Sequence, residues 1–166
     1  TGFADGSASG TKTTIARAFQ DAAPTIYLNF SVDSILSGLP PSVLARIVDG
    51  LPVPDLRLGE LIRAFYACTR ELLQAGHDLV IDHAVTARYH AEALIAACEG
   101  HETLLVGVEC PVAITREREA ARGDRLVGLA EQQFAIIHAW LEYDLVIDTS
   151  RQSPSEAAAS ILAALA

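Results

Sequence analysis

Short apolar runs that end in a polar residue alternate along the chain with longer stretches whose apolar positions recur at helical spacing. Strands of a parallel sheet covered on both faces read as such runs, whereas amphipathic helices repeat every three to four residues. The pattern predicts strands over about Thr25 to Phe30, Asp78 to His83, Thr103 to Cys110 and Asp144 to Asp148. It predicts helices over about Lys12 to Gln20, Gly59 to Ala75, Arg88 to Glu99, Val112 to Ala121, Leu129 to Glu142 and Pro154 to Leu165. Such alternation implies βαβ units, and hence an α/β fold with a parallel sheet between two layers of helices. A fifth strand should precede the glycine-rich stretch, although the segment from Thr1 to Gly6 offers only Phe3 as a large apolar residue. Residues upstream of Thr1 could supply that strand.

Boundary signals support these assignments. Ser153, Pro154 and Glu156 form a capping-box pattern with proline in the first turn, while Gly76 and Gly100 stand where left-handed helix terminators are wanted. The stretch from Ser37 to Gly59 is of another kind. It holds Pro40, Pro41, Pro52 and Pro54 with Gly38, Gly50 and Gly59, and reads as an irregular cover over a substrate, with one short helix around Val43 to Val48.

At 166 residues the chain is expected to form a single domain, residues 1–166. Its 51% hydrophobic content and mean hydropathy of +0.29 supply a sizeable core and exclude an intrinsically disordered chain. No apolar run approaches the roughly 18 residues needed to cross a bilayer, so no membrane span is expected. Twelve Lys and Arg against 21 Asp and Glu leave a net charge of -9, which argues against general nucleic-acid binding and requires a local cationic pocket for any anionic ligand. Cys68, Cys98 and Cys110 lie far apart without a CxxC pair, and no signal segment is evident. A reducing cytoplasm is the expected location.

One stretch answers the need for a cationic pocket. Gly6, Ser7, Ala8, Ser9, Gly10, Thr11, Lys12 and Thr13, followed by Thr14, have the outline of a P-loop. In such a loop backbone N–H groups wrap phosphates, the lysine reaches the β and γ phosphates, and the hydroxyl after it ligates Mg²⁺. Lys12 is also the only lysine in the chain; the other eleven cationic residues are arginine. A compact ammonium is thus kept where a phosphate would need it. Thr11 departs from the pattern, because glycine normally precedes the lysine; a β-branched residue in a backbone of positive φ would cost on the order of 1–2 kcal/mol. A flexible turn before a helix is the plain alternative for this stretch.

Two further sets of residues bear on phosphate chemistry. Arg116, Arg118, Arg122 and Arg125 crowd a short span beside Gly123, and about residues 116–128 read as an arginine-rich lid; pairing with Glu117, Glu119 and Asp124 on a solvated helix is the alternative. Ligands of parallel sheets bind beyond the carboxyl ends of strands, which singles out Asp33, Asp82 and Asp148. Asp33 is placed to accept a proton from an acceptor hydroxyl, with helix N-capping as the plainer role. Asp82 closes the apolar run Leu79, Val80 and Ile81, an arrangement that supports magnesium, or else it is a strand-end turn residue. Asp148, before Thr149, Ser150 and Arg151, is expected to shape a turn. The five histidines show no metal-ligand spacing and read as surface or structural.

Taken together, these residues resemble the chloramphenicol 3-O-phosphotransferases and chloramphenicol phosphotransferase-like proteins. The likeness runs from about Gly6 to the C terminus: the P-loop outline, Val32-Asp33-Ser34, the Leu79 to Asp82 run and Gly107 to Cys110. Its most specific part is Ala121 to Glu131, continuing through Gln133, His138, Glu142 to Asp144, Asp148 and Thr149. The resemblance implies a P-loop kinase fold with a five-stranded parallel sheet, and ATP-dependent phosphorylation of a small-molecule hydroxyl on a chloramphenicol-like antibiotic. On that likeness Asp33 matches a general base, Lys12 and Thr13 match the phosphate and magnesium residues, and Arg122 and Arg125 match lid arginines. A kinase for another hydroxylated metabolite, or a non-catalytic relative with a degraded nucleotide site, remain open. So does self-association.

Overall fold

The computed structural model describes residues 8–85, 87–109 and 140–166. Among these residues ten elements follow one another: α1 (Ala8–Ala22), β1 (Tyr27–Ser31), α2 (Val32–Leu36), α3 (Pro41–Val48), α4 (Leu58–Gln74), β2 (Asp78–Asp82), α5 (Arg88–Cys98), β3 (Val106–Glu109), β4 (Leu145–Asp148) and α6 (Pro154–Ala164). The strands form two parallel pairs. β1 lies beside β2 with Tyr27 opposite Asp78 and Ser31 opposite Asp82; β3 lies beside β4 with Val106 opposite Leu145 and Glu109 opposite Asp148. Parallel pairing brings the carboxyl ends of both partners to one edge, where a ligand site is expected.

The four strands fall where the apolar runs predicted them; β1 begins two residues later and ends one residue later, at Ser31, and the other three lie within their predicted runs. The fifth strand, expected before Gly6, and the helix predicted over Val112 to Ala121 lie outside the described residues. Of the helix predicted over Leu129 to Glu142, residues 140–142 are not helical and the rest lies outside the described residues. Terminators behave as read: Gly76 and Gly100 take φ of +86° and +83°, and Gly76 with His77 donates back to Leu73 and Leu72 to close α4. The capping box at Ser153 is complete. Its hydroxyl accepts from the Glu156 N–H while the Glu156 carboxylate accepts from the Ser153 N–H.

One reading requires correction. α1 begins at Ala8, four residues before the predicted start, so Thr11 lies in right-handed helical backbone and carries none of the strain that a positive φ would impose. The short helix expected around Val43 to Val48 in the cover is α3, which starts two residues earlier at Pro41, in the first turn, where proline's missing N–H costs nothing.

The core has two parts. Phe65 and Tyr66 of α4 meet Val85 and Ala91, Leu94, Ala97 and Cys98 of α5, with Phe30 and Ile81 of the β1–β2 pair packed against them. Ile15 of α1, Ile147 of β4 and Ala157 of α6 form the other part, joined by Val106 and Val108. α1 packs along α6 and also touches β1 and β2, so it spans both pairs. Gln20, near the end of α1, donates to the Tyr27 carbonyl at the start of β1 at 2.7 Å. The helix therefore runs back along the strand, and its amino end comes to the strands' carboxyl edge.

Candidate active site

Asp82 ends β2 in register with Ser31 at the end of β1. The start of α1 brings two consecutive side chains onto its carboxylate. The Thr13 hydroxyl donates to Oδ2 at 2.7 Å, and the Lys12 ammonium lies 3.9 Å from Oδ1. The Asp82 side chain is only 11% exposed and that of Lys12 26%. A carboxylate so far withdrawn from water needs hydrogen-bonding and charged partners, and the hydroxyl and ammonium provide both. Residues 69 or more positions apart in the chain are thus joined at one point, which neither stretch showed alone.

Asp33 stands at the same edge in a different setting. β1 passes into α2 without an intervening loop, because Ser31 is at once the last strand residue and the N-cap. Its hydroxyl accepts from the Ser34 N–H at 3.3 Å, and the Ser34 hydroxyl accepts from the Ser31 N–H at 3.1 Å. The capping role considered for Asp33 therefore belongs to Ser31. Asp33 occupies the exposed first turn of α2, where a negative charge suits the helix dipole.

Asp148 shapes a turn, as its sequence context implied. Oδ1 accepts from the Ser150 N–H at 2.9 Å and from its hydroxyl at 2.6 Å. The hydroxyl bond and then the backbone bond hold this carboxyl below the usual aspartate range.

A feature that sequence reasoning missed adjoins Asp82. The Tyr66 hydroxyl lies 2.8 Å from His83 Nε2 and 2.7 Å from His90 Nδ1. Tyr66 and His90 are buried, at 7% and 5% exposure, and His83 is partly buried. Burial, with help from neighbouring His90 and Lys12, pushes the His83 pKa down to about 4, and burial lowers His90 as well. Burial of Tyr66 pushes its phenol up to about 12. All three groups are therefore neutral near pH 7. No spacing could have revealed them, because they come from α4, from the residue after β2 and from α5.

Of the residues singled out in the sequence, the structure brings together Lys12, Thr13 and Asp82. It places Ala8, Ser9, Gly10 and Thr11 in the first turn of α1 and Thr14 just beyond Thr13. Gly6, Ser7, Arg122 and Arg125 lie outside the described residues. Asp82 and Thr13 present hard oxygen donors, the kind Mg²⁺ takes, and Lys12 beside them is a point charge of the kind that binds phosphate. Among the described residues no helix is long and apolar enough to cross a membrane.

Known proteins share this frame. A sugar kinase from Janibacter sp. HTCC2649 superposes with a TM-score of 0.64 at 23% identity, over 96% of this chain and 89% of that one. A gluconokinase from Sinorhizobium meliloti 1021 gives 0.65 at 20% identity, over 96% and 86% of the two chains. The tunicamycin resistance protein of Deinococcus radiodurans gives 0.63 at 15% identity, over 91% and 88%. At these identities the likeness establishes an α/β kinase-like fold. Two Mycobacterium tuberculosis proteins, from strains CDC 1551 and H37Rv and each named "Putative O-phosphotransferase", are 29% identical over 168 residues, covering 88% of this chain and 73% of theirs. The family model for chloramphenicol phosphotransferase-like proteins matches residues 3–166, and the chain belongs to that family.

Proposed function

We propose that this protein is an ATP-dependent O-phosphotransferase that moves the γ-phosphoryl group to a hydroxyl of a small molecule, with chloramphenicol or a related antibiotic as the acceptor class. The observation that carries this reading is the meeting of Lys12 and Thr13 with Asp82 at the carboxyl end of β2. Lys12 holds the β and γ phosphates as a point charge, and within the stretch Gly6 to Thr14 the backbone N–H groups at the start of α1 hold their oxygens. The first N–H groups of a helix have no intrahelical acceptor and favour an anion, which suits the early start of α1. Thr13 and Asp82 are the residues that would hold Mg²⁺, which when bound neutralises charge on the phosphates.

Asp33 acts as general base. It takes the proton of the acceptor hydroxyl as the new P–O bond forms and the bond from the γ-phosphorus to the bridging oxygen breaks, releasing ADP, and an exposed carboxylate at the strand edge is accessible to a substrate held under the cover of residues 37–59. Arg122 and Arg125 close from the lid and stabilise the transferring group. The likeness to a sugar kinase, a gluconokinase and a tunicamycin resistance protein widens the acceptors to be tried rather than naming one.

The deciding experiment is calorimetric titration of Mg·ATP into the wild-type protein and Lys12→Ala, followed by an acceptor screen with mass detection over chloramphenicol, tunicamycin and gluconate. Saturable binding abolished by Lys12→Ala, with an acceptor gaining one phosphoryl group, is the expected result. No binding by either protein would leave the non-catalytic reading in its place.

A further inference from the structure

The Tyr66 hydroxyl is shared between two imidazole nitrogens, His83 Nε2 at 2.8 Å and His90 Nδ1 at 2.7 Å. A phenol has one proton to donate. It therefore donates to one ring and accepts an N–H from the other, which joins three side chains in one hydrogen-bonded chain. The three rings also pack on one another and on Phe65, so the bridge sits inside a rigid aromatic cluster. Its middle member, Tyr66, and one end, His90, are set by α4 and α5, the helices that build the larger part of the core. Its third member, His83, is covalently next to Asp82, the carboxylate on which Lys12 and Thr13 converge.

We propose that Tyr66 is a positioning residue for the phosphate site: its hydroxyl clamps His83 to α5 and so holds the adjoining Asp82 carboxylate where Lys12 and Thr13 meet it. The β2 strand ends at Asp82, and His83, Ala84 and Val85 belong to no helix or strand, so the ladder stops restraining the chain at the point where the carboxylate must be aimed. Val85, buried at 4% exposure, anchors this stretch by packing in the core. The hydroxyl bridge adds direction to that anchoring, which packing lacks. This role rests on the phosphotransferase reading given above, since it concerns how the proposed nucleotide site is held.

Tyr66→Phe tests it, because the ring stays in the cluster and only the bridging oxygen is lost. Calorimetry with ATP in the presence of Mg²⁺ and with ATP in EDTA is run on wild type, Lys12→Ala and Tyr66→Phe, alongside thermal unfolding of each without nucleotide. Tyr66→Phe is expected to bind Mg·ATP about fivefold more weakly, the worth of one hydrogen bond, while metal-free ATP binds within about twofold of wild type. A purely structural role would weaken both forms alike together with the unfolding temperature, and that result overturns the proposal, as does wild-type affinity for Mg·ATP. His90→Gln breaks the bridge from the other helix and is expected to show the same split; it decides by the same criteria if Tyr66→Phe does not fold. Wild-type binding that Lys12→Ala abolishes, with both bridge variants unaffected, rejects the positioning role alone. A wild-type protein that binds neither form of ATP rejects the phosphotransferase reading and this role with it.

Discussion

Asp82 and Asp33 stand at the carboxyl ends of neighbouring strands, yet one is enclosed and the other open. Asp82 is reached by a hydroxyl and an ammonium from α1 and adjoins an aromatic cluster anchored in the core. Asp33 rides on a five-residue helix, and neither that helix nor α3 after it contains a buried residue. The contrast follows from the work proposed for each. Phosphates and magnesium are the same in every turnover, so the groups that meet them gain from being fixed before binding. The side that accepts a small molecule must let it in and out, and elements with few buried contacts open at low cost.

This comparison can be broken most sharply at the two carboxylates themselves. Asp33→Asn is expected to lower turnover by roughly 10²- to 10⁴-fold, the usual worth of a positioned base, with Mg·ATP affinity and unfolding temperature unchanged. Loss of nucleotide affinity in that variant would place Asp33 on the phosphate side and erase the distinction. Asp82→Asn should do the reverse. Replacing the charge between Lys12 and Thr13 is expected to weaken Mg·ATP by about tenfold or more in calorimetry, and retained affinity would remove Asp82 from the site.

Acid should also act on the enclosed side first. The folded protein keeps His83 neutral down to about pH 4, whereas in the unfolded chain it protonates near its ordinary value of 6.5. Between those values the unfolded chain holds the extra proton, so stability falls as pH drops through that window, with a slope approaching about 1.4 kcal/mol per pH unit. His90 is shifted the same way and adds to the slope. Urea midpoints measured from pH 7 to pH 4.5 should show the decline in the wild-type protein and a shallower one in His83→Gln; coincident profiles would contradict it.

The smallest effect is expected on the open side. Arg46 of α3 donates through Nε and Nη2 to the Pro52 carbonyl, at 3.2 and 2.6 Å, and so ties the cover to itself. Because the contact is exposed, Arg46→Ala should cost about 1 kcal/mol of stability or less. Steady-state kinetics should show a severalfold rise in acceptor KM with Mg·ATP binding unaltered. A matching loss of nucleotide affinity would mean that the cover and the phosphate end are mechanically coupled.

How much of this was legible in the chain depended on sequence distance. The strands, the glycine terminators and the Ser153 capping box are local patterns, and each was readable from a few adjacent residues. Asp148 could be assigned to a turn because its partner, Ser150, is two residues away. α2 entered only as a helix that Asp33 would cap, without bounds, since its true N-cap, Ser31, is also a strand residue and no loop residue marks the junction. The early start of α1 escaped because a run of Gly, Ser and Thr reads as loop chemistry, whatever surrounding contacts make of it.

The site divides along the same line. Lys12 stood out as the chain's only lysine, in a P-loop outline, and Asp82 as the acid closing an apolar run. That these two would share one carboxylate contact with Thr13 required the β1–β2 pair and α1 to be packed together. The bridge from Tyr66 to His83 and His90 was beyond sequence reading altogether, because its members lie 17 and 24 positions from Tyr66. The sequence by itself determined the α/β alternation, the family likeness and the kinds of chemical group on offer, all of which depend on residue type and short-range spacing. Only the tertiary structure decided which acid is enclosed and which is open, because burial and long-range hydrogen bonds exist only once distant segments have packed.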